Sequence, residues 1–195
     1  LKSLQELTIS GNLLTELPPA LAAMPSLTHL GIDGNVGLGK SLPPGMLTKP
    51  LAEVKGFLHR LHCAGKTLNL SHLDLRHVAP NAFYDLAHLQ ELHLSSNKLD
   101  SLPHVVSTLH ALKLLDVRWN QFIALPEFLL NMTTIQNLEI GGNPLDSIPS
   151  EIHAHEQTPF KETLRYMKMI RNSRRAFKVD LQDFGFSKLP SQVLA

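Results

Sequence analysis

A step of 23 residues runs through this chain and leaves it little freedom in how to fold. Leu86, Leu109 and Met132 are one step apart, as are Leu89, Leu112 and Ile135. The same step separates Leu92, Leu115 and Leu138, and again Leu94, Val117 and Ile140. Asn97, Asn120 and Asn143 keep the phase, and so do Pro103, Pro126 and Pro149. The N-terminal stretch fits the frame with Leu4, Leu7, Ile9, Asn12, Leu14, Leu17 and Pro18, followed by Leu27, Leu30, Ile32 and Asn35. Such a period marks stacked coils, each of which can bury its apolar face only against its neighbours. Leu92-His-Leu94 alternates like a strand with one buried face. Stacking the coils therefore predicts a parallel sheet with the leucines inside. The asparagine is predicted to be buried at the bend after the strand, bonding backbone groups that the turn leaves unpaired. The proline fits the return segment, where no ladder bond needs its missing N–H.

Read as L-x-x-L-x-L-x-x-N-x-L-x-x-L-P, these positions resemble the leucine-rich repeat family over nearly the whole chain. The period and the proline after the last leucine are similar to the short intracellular subgroup, found in Ras-pathway scaffolds and in the repeat arms of Roco proteins. The resemblance implies an α/β fold, a curved solenoid with a parallel sheet on its concave face. It also implies a non-catalytic scaffold or adaptor whose concave face holds a protein partner, such as a small GTPase or a phosphatase. Two other settings are open: the recognition arm of a larger enzyme (a Roco-like GTPase–kinase or a ubiquitin ligase), or a structural subunit of a large assembly.

Two segments break the period and read as bridging helices, at about 50–63 and 158–177. In the first, Leu51, Val54, Leu58 and Leu61 recur at helical spacing. In the second, Thr158 suits an N-cap and Pro159 the first helical position, and Phe160, Met167 and Ile170 continue an apolar stripe. After each helix the repeat restarts. Leu68-Asn-Leu70-Ser-His-Leu73 matches Val179-Asp-Leu181-Gln-Asp-Phe184, with Leu73 and Phe184 standing at the asparagine position. The expected layout is one solenoid over 1–195 with sub-arrays 1–49, 67–157 and 179–195. Leu1 falls in mid-pattern and Ala195 in an unfinished repeat, so the expected context is a longer chain.

Composition narrows the function classes. Hydrophobic residues make up 43% of the chain, enough for a core, and a net charge of +1 gives no global pull toward nucleic acid or an acidic membrane. No apolar run approaches the roughly 20 residues a spanning helix needs. The single cysteine, Cys63, allows no internal disulfide, and the expected location is the cytoplasm. About one sequon is expected by chance in a chain of this composition, so those at Asn69 and Asn131 are discounted. His59, His62 and Cys63 share a helix face and His153 and His155 form a pair, but neither set has a fourth ligand at structural-zinc spacing, so no metal or other cofactor is expected. Gly34 to Ser41 meets the literal G-x-x-x-x-G-K-S phosphate-loop pattern. Such a loop must open a helix, and Leu42-Pro43-Pro44-Gly45 argues against one there, so no nucleotide or small-molecule substrate is expected.

The strand side chains that point away from the interior are the candidate binding surface. The column His93, Asp116, Glu139 and Asp180 is mainly acidic and would favour a basic partner surface. Trp119 and Arg118 stand at the strand edge between Ser96 and Gly142 of the neighbouring repeats. A tryptophan and an arginine among small residues are the composition of an interface hot spot, although Trp119 also has the option of simply covering Gly142. Glu91, His93, Asp116, Arg118, Trp119 and Glu139 are thus the predicted protein-binding residues. Lys161, Arg165, Lys168 and Arg175 form a basic stripe on the second helix and are a candidate anion site, with a solvated helix face as the simpler reading.

Overall fold

A computed structural model describes residues 2–83, 85–149, 152, 160–176, 179–182, 184 and 186. Among these residues six short strands alternate with turns and helices: β1 (Glu6–Thr8), β2 (His29–Gly31), β3 (Thr67–Asn69), β4 (Glu91–His93), β5 (Leu114–Asp116) and β6 (Asn137–Glu139). All pairings are parallel, but they fall into two sheets, β1-β2 and β3-β4-β5-β6. Register follows the period: Leu68, Leu92, Leu115 and Leu138 are successive partners across the larger sheet. All four are buried, and the stack Leu70, Leu94, Val117 and Ile140 is buried beside them. Each such side chain contributes about 1.5–3 kcal/mol by leaving water. The fold is the expected leucine-rich-repeat α/β solenoid with two helices interrupting it.

The asparagines occupy the predicted bend. Asn120 Nδ2 donates to the carbonyls of Val117 in its own turn (3.0 Å) and Leu94 in the preceding coil (2.9 Å), while its Oδ1 accepts from the Leu99 N–H at 2.9 Å. Asn97 and Asn143 repeat this arrangement, and so does Asn35 in the N-terminal sheet. Each asparagine therefore stitches its coil to the one before it. The prolines open the return turns. Pro103 and Pro126 carbonyls accept from the N–H groups of Val106 and Leu129 at 3.0 and 3.1 Å, which starts the 3-10 turns His104–Thr108 and Glu127–Asn131.

The break between sheets has a local cause. Helix α1 is a single turn, Leu38–Ser41, and helix α2 spans Leu51–His62. Val54, Phe57, Leu58 and Leu61 of α2 are buried, and the helix packs on the 3-10 turn Pro19–Ala23, with Lys55 Nζ donating to the Met24 carbonyl at 2.7 Å. β3 is thus the first strand of its sheet. An asparagine after it would have no paired coil behind it to bond, and Leu73 sits there instead, half-buried against the core.

The helical turn at Leu38–Ser41 corrects one expectation. A turn does form inside the phosphate-loop pattern; the two prolines end it rather than prevent it. Its glycines serve the coil instead. Gly34 takes the left-handed turn (φ +73°), and a Cβ on Gly37 would lie 2.7 Å from the Leu14 carbonyl oxygen.

Helix α3 spans Phe160–Ala176. Its buried face centres on Thr163 and Tyr166, with Met167 and Ile170 half-buried. Tyr166 packs edge-on against Phe184 and Phe186, which stack on each other with centroids 5.5 Å apart. This aromatic cluster joins α3 to the segment that follows it. Thr158, Pro159 and the pair His153 and His155 lie outside the described residues.

Candidate protein-binding face

Alternation along each strand sends every second side chain to the open face of the larger sheet. Asn69, His93, Asp116 and Glu139 form one row across it, by the backbone register. Thr67, Glu91, Leu114 and Asn137 form the row beside it. The predicted residues Glu91, His93, Asp116 and Arg118 meet in one polar cluster. Thr67 Oγ1 donates to Glu91 Oε2 at 3.0 Å. His93 Nε2 lies 3.6 Å from Glu91 Oε2, and its Nδ1 lies 3.9 Å from Asp116 Oδ2.

Asp116 is not a free acidic charge. Its side chain is 5% exposed, and Arg118 grips it in a fork, with Nε to Oδ1 at 3.0 Å and Nη2 to Oδ2 at 3.1 Å. The Arg118 backbone N–H donates to Oδ1 as well, at 3.1 Å. Burial pushes the Asp116 carboxyl up. Arg118, through its side chain, backbone and charge, together with the Ser95 hydroxyl, outweighs that and holds the carboxyl below its ordinary range. The face therefore presents a neutral Asp116–Arg118 unit, flanked by Glu91 and Glu139, rather than a continuous acidic column. Bidentate geometry also fixes Arg118 in one orientation.

Trp119 follows directly. It holds φ at +55°, in the left-handed region, at the position taken by Ser96 and Gly142 in adjacent coils. A bulky side chain there costs about 1–2 kcal/mol relative to ordinary backbone. The ring lies over Gly142: a Cβ on that glycine would be 2.5 Å from it. Even so, Trp119 stays 58% exposed. One ring face covers the glycine, as the packing option expects, and much of the rest meets solvent.

The basic stripe is less uniform than it looked. Lys161 and Lys168 are exposed. Arg165 is engaged: its guanidinium lies 4.5 Å from the Phe184 ring centroid, donates to the Gln182 carbonyl at 2.7 Å and sits 3.7 Å from Glu162. The Arg175 side chain lies outside the described residues. Among the described residues, no three of His, Cys, Asp and Glu come together as a metal set, and no helix is long and apolar enough to cross a membrane. Sequence reading missed two things here. The first is the Asp116–Arg118 fork, whose signal was the i, i+2 spacing of opposite charges on one strand face. The second is the Tyr166 cluster, which lies past the last regular repeat.

Two family models, both describing a leucine-rich repeat, match residues 66–122 and 3–24. The chain belongs to the leucine-rich repeat family. Among curated relatives, it is 29% identical over 164 residues to the volume-regulated anion channel subunit LRRC8D of Rattus norvegicus, covering 76% of this chain and 19% of that one. The subunit LRRC8E of Homo sapiens is 31% identical over 170 residues, covering 78% and 21%. An adenylate cyclase of Schizosaccharomyces pombe is 33% identical over 89 residues, covering 45% and 5%. The chain thus spans about a fifth of the length of the channel subunits it matches. A solved structure, that of the Leptospira interrogans LRR protein LIC12759, aligns over 78% of this chain and 41% of its own at 28% identity, with a TM-score of 0.41.

Proposed function

We propose that this leucine-rich repeat array is a non-catalytic binding module of the cytoplasm. Its open sheet face holds a protein partner, with Trp119 as the anchor and the Asp116–Arg118 unit, His93, Glu91 and Glu139 around it. The observation that carries this reading is Trp119 itself: a large side chain kept at a left-handed position and left 58% exposed. Strained residues that a fold does not need are where function concentrates, and tryptophan and arginine dominate interface energetics. The partner that fits is one with an apolar pocket for the indole, rimmed by basic side chains to meet Glu91 and Glu139.

The test is affinity capture with the wild-type chain and with Trp119→Gly, each first shown to be folded. The expected result is a retained protein that the variant loses or binds at least tenfold more weakly, a loss within the range of a hot-spot truncation. Unchanged affinity in a folded Trp119→Gly protein would refute it. A second reading, that the array is the recognition arm of a larger enzyme or assembly, is favoured by the fifth of their length over which the channel subunits match. It uses the same face, and the identity of the captured protein separates the two.

A further inference from the structure

A cleft of about 270 Å³ lies between α3 and the return segments of the coils of β5 and β6. Its apolar wall includes Leu125, Leu130, Ile148, Met167 and Ile170. Two polar residues of α3, Tyr166 and Arg171, line the same cleft. Tyr166 has no exposed surface, and among the described residues its hydroxyl has no hydrogen-bond partner; Arg171 Nε is likewise closed to solvent and unpartnered among them. An unpaired buried polar group costs about 1–3 kcal/mol, and folded proteins keep few of them. Both residues border one cleft, which is where a shared acceptor would reach them.

Their chemistry limits what that acceptor is. A guanidinium only donates, and the phenol, whose pKa burial raises, is a neutral donor. Two donors bordering one cleft suit an anionic oxygen pair. The cleft is smaller than the roughly 300–1,000 Å³ of drug-sized sites, and its wall is aliphatic, so the remainder of the ligand is short and branched. Glu127 also borders the cleft and can take an ammonium group placed beside the anion. We propose that this cleft is a binding site for a small aliphatic carboxylate, which accepts from the Tyr166 hydroxyl and Arg171 Nε and lays its branched tail on Leu130, Ile148 and Ile170. The hydroxyl and Arg171 Nε are both closed to solvent, so the ligand reaches them by displacing the Met167 side chain, which lines the cleft and whose three rotors make such a shift cheap. This inference is independent of the protein-binding face and stands or falls separately from it.

The probes are 4-methylpentanoate and L-leucine, which share the branched tail and carboxylate and differ in the ammonium group. Each is titrated into the wild-type chain, Tyr166→Phe and Arg171→Gln, with amide chemical shifts of α3 as the readout. At least one probe is expected to saturate shifts confined to α3 and to residues 124–130 and 147–148, and each variant is expected to weaken that probe about tenfold, the worth of one charge-assisted hydrogen bond. Tighter binding of leucine, lost in Glu127→Gln, would identify a free amino acid as the source; tighter binding of 4-methylpentanoate would identify a simple acid. Tyr166→Phe without ligand is expected to melt higher than wild type, because the orphan hydroxyl is gone. The proposal falls if neither probe moves those shifts at about 10 mM, a concentration reached by ordinary weak fragments. It falls equally if Tyr166→Phe binds as well as wild type, or if it melts lower.

Discussion

Trp119 and Gly142 form a pair whose energetics can be separated. Replacing Trp119 by glycine relieves about 1–2 kcal/mol of left-handed strain and gives back a similar amount in lost ring packing and in the entropy of the unfolded chain. Urea denaturation should therefore place Trp119→Gly within about 1 kcal/mol of wild type. Gly142→Ala should lose about 2 kcal/mol or more, since it adds strain at φ +71° and drives a methyl into the indole. In the Trp119→Gly background the steric part vanishes, and the double-mutant cycle should show a coupling above about 0.5 kcal/mol. Strict additivity would mean that ring and glycine do not touch. At Asp116 the folded carboxyl is more acidic than the unfolded one. Its contribution is complete above the unfolded pKa, about 3.9, and is lost as pH falls through the lower folded value. Asp116→Asn should cost about 1–3 kcal/mol at pH 7, with Arg118 partly rescued because it reaches water. It should also flatten the decline in stability below about pH 4. An equally steep acid decline in the variant would place that titration elsewhere. At this scale the sequence was half legible. The period placed Trp119 beside Gly142, but a count of charges by column hid the fork that cancels Asp116 against Arg118.

Between residue and whole, the unit is the coil with its asparagine. Asn120→Ala leaves the Leu94 and Val117 carbonyls and the Leu99 N–H without their partner. A loss of about 2–4 kcal/mol is expected from orphaning several buried groups. Asn12→Ala should cost well under half as much, because Asn12 is exposed and its Nδ2 bonds only the Ile9 and Ser10 carbonyls of its own turn. Comparable losses at the two sites by thermal unfolding would remove the stitching role. The strands, asparagines and prolines were readable because a repeat fixes the environment of each position as well as its spacing. Leu73 was noticed as an exception, and its reason appears only once β2 and β3 are seen to be unpaired. Helix α2 followed its apolar spacing, with Phe57 buried in addition. Helix α3 was harder: its anchor, Tyr166, packs on Phe184 and Phe186, a long-range contact that no local period encodes. The turn at Leu38–Ser41 shows the limit of arguing from proline, which stops a helix behind it without forbidding a turn ahead of it.

For the molecule as a whole, the division into a two-stranded and a four-stranded sheet implies unequal resistance to opening. Leu7, Ile9 and Leu30 of the smaller sheet are only partly buried, whereas Leu92, Leu94, Leu115 and Val117 have no exposed surface. Stability in stacked repeats is a sum over units and their neighbours, so the less buried units open first. Native-state hydrogen exchange should find the Ile9 N–H, bonded to the Gly31 carbonyl, at least about tenfold less protected than the Leu94 N–H, bonded to the Asp116 carbonyl. Equal protection would mean that the two sheets open as one cooperative block despite lacking a shared ladder.

The left-handed residue just ahead of each asparagine has a broader implication. It sits outside the leucine interior and outside the stitching, so its side chain can change while the coil closes as before. Each described turn that closes on an asparagine thus carries one writable address, blank where glycine occupies it and inscribed with an indole at Trp119. A new specificity can be lettered onto this scaffold one coil at a time, at a conformational toll small beside what the frame already holds.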